Sequence, residues 1–204
     1  MYVETSDTLV PAHTIKVKTD ERVAGKSIFG YLKVTTEPIT CKFYGVYGQM
    51  MYSMTGIGGY AEKAYVYEDF SPAPPVGYEN QKLTNITYAP VSTLSAWTDL
   101  QTNGEKWQFG LFAGYTKNLG ASETISSTGN YFGRGNDINY IYRISPRAIY
   151  TNGKFRIAPE MEYTVAAYAT RDEGGNLNID DKGVVTDSKE IANFRFLIGV
   201  YYMF

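Results

Sequence analysis

The sequence predicts an all-β protein, an antiparallel up-and-down β-barrel that crosses a membrane. Three observations favour this fold. Residues 191–204 alternate between apolar and mixed side chains, and the stretch exceeds the roughly 9–11 residues that a tilted strand needs to cross a bilayer. Tight turns alternate with long loops along the chain, as in membrane barrels. The 19 Tyr, 10 Phe and 20 Gly residues suit strands, interfacial aromatic rings and many turns.

The composition argues against several other classes of protein. No run of about 18 apolar residues is present, which excludes membrane helices. Cys41 is the single cysteine and His13 the single histidine, so we expect no internal disulfide, metal site or cofactor. No Gly-x-Ser-x-Gly elbow accompanies His13, and we expect no enzyme. The net charge is −2, and no basic patch with interleaved aromatic residues indicates binding to nucleic acid.

The start of the chain lacks the basic and apolar regions of a secretory leader. An exported barrel needs such a leader, so we expect the chain to be a fragment or a trimmed mature form. All 204 residues are assigned to one domain. Residues 1–13 are expected to be irregular, and residues 14–19 to form a short strand.

The first clear hairpin pairs residues 26–36 with residues 39–52. The turn is placed at Glu37-Pro38, because proline has no amide proton to donate to a strand ladder. This register puts apolar pairs on one face and sets Lys33 opposite Lys42 on the other. The apolar pairs are Val34 with Cys41, Leu32 with Phe43, and Ile28 with Tyr47.

Two further hairpins are predicted around Asn-Gly pairs, the sequence preferred by two-residue type I′ turns. The first joins residues 91–102 to 105–119, and the second joins 137–151 to 154–170. Both registers give one uncharged face and one polar face. The apolar pairs include Leu100 with Trp107, Tyr150 with Phe155, and Ile144 with Met161. The polar pairs include Asp99 with Gln108, Ser145 with Glu160, Arg143 with Glu162, and Arg147 with Ala158.

Three long segments lack strand periodicity and are interpreted as extracellular loops. Long loops within a compact domain are usually functional, and one of them is expected to carry a short strand at residues 61–67. The last is acidic but lacks the ligand spacing of an EF-hand, so we expect a solvated loop. The loops are residues 53–90, 120–136 and 171–190.

The C-terminal strand ends on Phe204, with Tyr202 and Val200 at alternate positions before it. This pattern resembles the terminal strand that the bacterial outer-membrane assembly machinery recognises, and it predicts that machinery as a partner. Counting back from Phe204 at the periplasmic end, every tight turn falls on the same side of the membrane. The resulting location is the bacterial outer membrane, with its lipid as the surrounding medium.

The strand count is seven, or eight if residues 14–19 contribute. Eight strands could close a small barrel whose interior is filled by side chains, whereas seven would require further strands upstream. Both alternatives remain open at this point.

Three segments resemble the C-terminal half of DcaP-like outer-membrane porins. They are residues 90–120 (P-V-S-T-L-S-A-W-T-D-L-Q-T-N-G-E-K-W-Q-F-G-L-F-A-G-Y-T-K-N-L-G), 44–50 (Y-G-V-Y-G-Q-M) and 143–150 (R-I-S-P-R-A-I-Y). The resemblance implies a larger barrel of about 16 strands in a Gram-negative outer membrane. It also implies a trimer and transport of small, often anionic solutes. This chain would supply about half of such a barrel.

The predicted water-facing surface is basic, although the whole chain is acidic. Fixed cations on a low-dielectric wall concentrate anions, and Arg143, Arg147 and Arg195 lie well inside the strands. The alternative for Arg143 is neutralisation by Glu162, whereas Arg147 has no charged residue directly opposite. The cations are Lys33, Lys42, Lys106, Arg143, Arg147, Lys154, Arg156 and Arg195, against the acidic residues Asp99, Glu160 and Glu162.

Two functions follow from these expectations. The first is a diffusion porin that passes small hydrophilic, preferentially anionic solutes. The second is a small closed eight-stranded outer-membrane barrel with a structural or surface-interaction role. Strand number distinguishes them, since about eight strands enclose a filled interior and about 16 enclose an aqueous channel.

Overall fold

A computed structural model describes residues 2–6, 14–18, 21–69, 81–127 and 129–204. In these ranges the chain is almost entirely β-structure. No helix there has the length and hydrophobicity that a membrane crossing would require. The elements in chain order are β1 (Tyr2–Ser6), β2 (Thr14–Lys18), β3 (Ser27–Thr35), β4 (Ile39–Gln49), the single-turn helix α1 (Tyr52–Thr55), β5 (Gly58–Asp69), β6 (Gln81–Thr102), β7 (Trp107–Ala121), β8 (Tyr131–Arg134), β9 (Ile138–Asn152), β10 (Phe155–Ala169) and β11 (Ser188–Tyr202).

Nine strands form one antiparallel sheet, which confirms the all-β antiparallel prediction. Seven of them follow the order β11-β10-β9-β7-β6-β4-β3, while β5 pairs with β6 and with the short β8. Among the described residues, β3 pairs only with β4 and β11 only with β10. The sheet is therefore open at both edges and is not closed into a barrel.

The hairpin of β3 and β4 has the predicted register. Val34 pairs with Cys41, and Lys33 lies opposite Lys42. Glu37-Pro38 lies between the two strands, where the proline has no ladder partner to satisfy. The preference of proline for turns was therefore sufficient to predict the register of this hairpin.

The register between β9 and β10 differs from the prediction by two residues. Asn152 pairs with Phe155, so the turn consists of Gly153 and Lys154, and Tyr150 pairs with Ile157. A type I′ turn on Asn152-Gly153 needs a positive φ at both residues. Of the two, Gly153 alone has one, at +57°, and Asn152 remains in the strand.

The register between β6 and β7 is displaced by four residues, because Leu100 pairs with Leu111 rather than Trp107. The side chain of Asn103 is held by the neighbouring β3–β4 turn. Its amide donates to the Thr36 carbonyl at 2.8 Å, and its oxygen accepts from the Thr40 hydroxyl at 2.9 Å. Both register errors are even numbers, so every side chain still lies on its predicted face.

Residues 53–90, predicted to be a loop, are mostly strand. The expected short strand at 61–67 lies within β5, and β4 and β5 follow one another along a single edge of β6. Pro90 misled the prediction. It pairs with Tyr60 of β5, and the pairing of β6 with β7 ends at Val91, so Pro90 needs no donor on its second side. Residues 70–80 lie outside the described ranges.

Residues 171–187, which we call the strap, form no named strand and are mostly exposed, as a loop is expected to be, and they also fold back onto the sheet. The strap leaves the end of β10 and reaches the end of β7, where the Ala121 amide donates to the Lys182 carbonyl at 2.8 Å. The Ile125 amide donates to Asp181 at the same distance, and Val185 is buried. The predicted loop 120–136 likewise contains β8.

Residues 2–6, expected to be irregular, form β1, which pairs with the predicted strand β2 in a separate two-stranded sheet. Residues 1 and 7–13, with His13, lie outside the described ranges. The buried residues of the large sheet concentrate near the strap and α1 rather than along the middle of the strands. They include Ile57, Ile86, Ala89, Val91, Ala121, Val165 and Val185.

Candidate functional site

One face of the sheet, which we call the apolar face, exposes large hydrophobic side chains. Phe194 is 62% exposed and Ile198 58% exposed on β11. A soluble monomer rarely exposes a continuous patch of this kind. Its other exposed members include Ile28, Leu32, Val34, Phe43, Tyr47, Leu94, Leu100, Trp107, Phe109, Leu111, Tyr115, Ile144, Phe155, Met161, Tyr163, Phe196, Val200 and Tyr202.

Aromatic rings lie at both ends of the apolar face, and on four strands the two end rings are eight residues apart in the sequence. An eight-residue interval corresponds to about 27 Å along a strand, or about 20 Å at a barrel tilt. Neighbouring rings touch within the rows, as Trp107 and Tyr150 do at a centroid distance of 4.7 Å. The paired ends are Trp107 and Tyr115 on β7, Tyr150 and Tyr142 on β9, Phe155 and Tyr163 on β10, and Tyr202 and Phe194 on β11.

The opposite face, which we call the polar face, carries two ion clusters. In the first, Asp99 of β6 binds Lys42 of β4 at 3.1 Å and Arg147 of β9 at 2.7 Å. Arg147 also donates to the side-chain oxygen of Gln101 at 3.0 Å. Arg147 reaches β6 by lying across β7 at Gly110, where a β-carbon would come within 2.6 Å of its Nε. A glycine at that position is what lets a cation cross the intervening strand.

The second cluster is centred on Glu162 of β10, whose side chain is 9% exposed. Arg143 binds it at 3.0 Å and also donates from Nε to the Thr164 hydroxyl at 3.0 Å. Arg195 of β11 pairs with the second carboxylate oxygen and remains 54% exposed. Each cluster contains two cations and one carboxylate, so each retains a net positive charge.

The structure brings six of the eight predicted lining residues into these clusters. The prediction that Arg147 faces Ala158 without a charged partner was wrong, because the shifted register places Glu160 opposite it and Asp99 within reach. Arg143 meets Glu162 as expected but diagonally, since Thr164 lies directly opposite. Among the described residues, Lys33 and Glu160 show no ion pair; Lys33 lies opposite Lys42.

The predicted assembly signal lies at one edge of the sheet. Tyr202 and Val200 are exposed on the apolar face of β11. Phe204 follows the strand, and its fully exposed ring lies 5.5 Å from that of Tyr202.

A row of aromatic rings on the polar face was missed from the sequence, because the Tyr and Phe residues were attributed to the lipid face and the interfacial rings. The rings of Phe29, Tyr44, Trp97 and Phe112 follow one another across β3, β4, β6 and β7. Their centroid distances are 6.5, 5.5 and 6.0 Å. The alternation could have revealed the row, since these positions share a face with Lys42 and Asp99.

A cavity of about 410 Å³ lies between α1 and the polar face. The chain leaves the edge of β6 at Met50, which has a φ of +59°, and returns at Gly58, which has a φ of +110°. Met51 and Ile57 are buried and hold the ends of this excursion. The cavity is lined by Met54, Thr55, Gly56, Ser95, Ala96, Trp97, Phe112, Gly114, Tyr115, Thr116, Ile141, Arg143 and Thr164.

The carboxylates of the strap are used within its own turns. Asp172 accepts from the Asn176 amide at 2.8 Å, and hydrogen bonds from the Asn176 side chain and backbone hold the pKa of Asp172 below its usual value. Asp180 accepts from the amides of Lys182 and Val184. Within the described part of the chain, no three His, Cys, Asp or Glu side chains come together as metal ligands.

Comparisons with protein-family models, with curated proteins and with solved structures gave no significant match for this chain.

Proposed function

We propose that this chain forms part of the wall of an outer-membrane porin that passes small hydrophilic, preferentially anionic solutes. The observation that carries the proposal is the contrast between the two faces of one long-stranded sheet. The apolar face is exposed and bounded by aromatic rows that lie about 20 Å apart at a barrel tilt, close to the roughly 25 Å apolar band of membrane barrels. The polar face carries the charges, as the inside of a membrane barrel does.

The open edges support a larger barrel rather than a small closed one. Every pair along the seven-stranded path is antiparallel, so β3 and β11 run in the same direction. Closing the wall with antiparallel neighbours therefore needs an odd number of additional strands. Two copies of this path alone would put parallel strands side by side at each seam. The additional strands come from other residues of the protein or from a partner, as the resemblance to DcaP-like porins implies.

The charges on the polar face support anion preference. Each cluster contains one more cation than carboxylate, and Lys33 beside Lys42 offsets Glu160 opposite Arg147, so the face keeps an excess of cations. In a water-filled lumen with low-dielectric walls, this excess concentrates anions and repels cations. No catalytic step is proposed. Outer-membrane lipid, the barrel assembly machinery and other copies in a trimer are the proposed partners.

Exchanging the most exposed cation of the clusters tests this proposal. We expect Arg195→Glu to lower the anion preference, because it changes the wall charge by −2 and leaves Glu162 without one of its two cations. The measurement is reversal potential in planar bilayers under a salt gradient. The protein is extracted from membranes in mild detergent, so that any strands completing the wall are retained.

Lys154→Glu is the matched control, because it makes the same change of charge at the exposed β9–β10 turn. We expect the control to shift the reversal potential much less than Arg195→Glu. Equal shifts would show that only the overall charge matters, and channels without anion preference in the native protein would contradict the proposed selectivity.

A further inference from the structure

The cavity beneath α1 exists because of a gap in the polar face. Gly114 of β7 lies between its two cross-strand partners, Trp97 of β6 and Arg143 of β9. With no side chain at Gly114, the ring of Phe112 fills part of the space, and a β-carbon there would lie 3.0 Å from that ring. Thr55 of α1 lies among the residues that enclose the remaining volume.

The walls of the cavity combine three kinds of group. Trp97 and Phe112 provide aromatic surface, with ring centroids 6.0 Å apart. Hydroxyl groups surround it, and those of Ser95 and Thr116 are hydrogen-bonded to each other at 2.8 Å. Two further threonine hydroxyls belong to Thr164 and to Thr55, and that of Thr55 lies 2.8 Å from the Ile57 carbonyl.

The third group is the guanidinium of Arg143. Its Nε donates to Thr164 and its Nη1 to Glu162. Within the described residues, no acceptor binds its Nη2. Glu162 is shared with Arg195, so the carboxylate does not neutralise both cations. A carboxylate in the cavity would find a positively charged donor in a fixed orientation, and charge-assisted bonds of this kind are the strong ones.

We propose that this cavity binds a hydroxylated ring that carries a carboxylate, the chemistry of a sugar acid. The ring packs on Trp97, the hydroxyl groups of the ligand bond to Ser95, Thr116 and Thr164, and the carboxylate bonds to Arg143. The volume is within the range of small-molecule sites, about 300–1,000 Å³. An aromatic acid fits the cavity less well, because its ring would place no hydrogen-bonding group beside the hydroxyls of Ser95, Thr116 and Thr164. The inference rests on the proposed function, since it names the solute class that the wall would hold.

The two tryptophans of the chain allow a direct test, since Trp97 lines the cavity and Trp107 lies on the apolar face. In the Trp107→Phe variant, we expect D-glucuronate to change the fluorescence of Trp97 saturably. D-glucose and benzoate should bind at least about tenfold more weakly. In the matched Trp97→Phe variant, the remaining Trp107 should not respond. Titrations use the membrane-extracted protein in detergent.

The role of the guanidinium is tested by Arg143→Gln in the Trp107→Phe background. We expect glucuronate affinity to fall by about tenfold or more, the effect of losing a charge-assisted hydrogen bond. Arg156→Gln is the matched control, because Arg156 bonds to Thr151 near the turn and does not line the cavity. If Arg143→Gln does not fold, Gly114→Ala should weaken binding instead by displacing Phe112 into the cavity.

The possible outcomes separate this inference from the proposed function. No fluorescence response, an equal response to glucose, or tighter binding of benzoate would overturn the sugar-acid site while leaving channel activity untouched. Saturable glucuronate binding by a protein that forms no channels would support the site and contradict the porin.

Discussion

At the scale of single residues, Gly110 determines which charged side chains can meet on the polar face, because it has no side chain of its own. Arg147 and Asp99 lie on strands that are not neighbours, and their contact crosses β7 over Gly110. Glycine weakens a strand by removing a packing group, and the space it leaves at Gly110 is occupied by the Arg147 side chain. The pair is partly buried, with side-chain exposures of 16% and 11%, and removing one partner would leave a charge unpaired.

Gly110→Ala should therefore destabilise the protein. The new β-carbon would lie 2.6 Å from Nε of Arg147, so the guanidinium must move away from Asp99, at a cost of about 1–3 kcal/mol. The measurement is the thermal midpoint of unfolding in detergent.

Gly45→Ala is the matched control, because no atom lies within 4 Å of a β-carbon at that position. We expect it to be neutral or slightly stabilising. A variant at Gly110 with an unchanged midpoint would show that the Arg147 contact does not need the open position.

At the scale of elements, two inserted segments cover one end of the polar face. One is α1, which interrupts the long edge formed by β4 and β5, and the other is the strap. The strap is anchored on the polar side, because the buried Asn118 of β7 donates to the Gly183 carbonyl at 3.2 Å. Its acidic residues are exposed, and two of them, Asp172 and Asp180, also stabilise turns.

The turn at Asp172 should make the strap sensitive to acid. The folded-state pKa of Asp172 is lowered by hydrogen bonds from Asn176, so this stabilisation is fully present above the unfolded pKa, about 4. It is lost as the pH falls further, through the folded-state pKa. The protection factors of the amides in residues 171–187, taken relative to the intrinsic exchange rate at each pH, should fall on acidification below about pH 4.

In Asp172→Asn this loss of protection should be smaller, because the side chain no longer titrates. Glu173→Gln is the matched control at the exposed neighbouring position and should behave as the native protein does. Identical pH profiles for the native protein and Asp172→Asn would contradict the assigned role.

Much of the sheet could be predicted because alternation is a property of each strand alone. The β3–β4 register followed from Pro38, whereas the registers around Asn103 and Asn152 did not follow from their Asn-Gly pairs. A contact with another turn holds Asn103, and such a contact has no local signal in the sequence. The strand through Pro90 could not be predicted for the same reason. Only the strand pairing shows that Pro90 needs no amide donor on one of its two sides.

The charged residues of the two ion clusters could be predicted, but their connections and the cavity residues could not. Register errors of two or four residues leave each side chain on its predicted face. Arg143, Arg147 and Arg195 therefore lie on the polar face as expected. The ion pair between Arg147 and Asp99 spans three strands. A hairpin register predicts contacts between two strands only, so it could not predict this pair. The cavity depends on α1, in a segment that had been predicted to be a loop.

At the scale of the whole molecule, the two faces of the sheet require different surroundings. Exposed aromatic and aliphatic side chains on one face are stable against lipid and costly against water, while the ion clusters on the other need water or a polar ligand. We propose that the apolar face meets lipid and the polar face meets water. The seven-stranded path has two open edges, so the proposal concerns one part of a barrel wall. It can be tested without a complete pore.

Spin labels along β11 test that claim most directly. Single cysteines are introduced at residues 193–200 in a Cys41→Ser background, and the labelled protein is reconstituted in lipid vesicles. We expect collisions with oxygen to peak at positions 194, 196, 198 and 200, and collisions with a water-soluble nickel chelate to peak at 193, 195, 197 and 199. Equal access of the nickel chelate to both sets would place the apolar face in water and contradict the account.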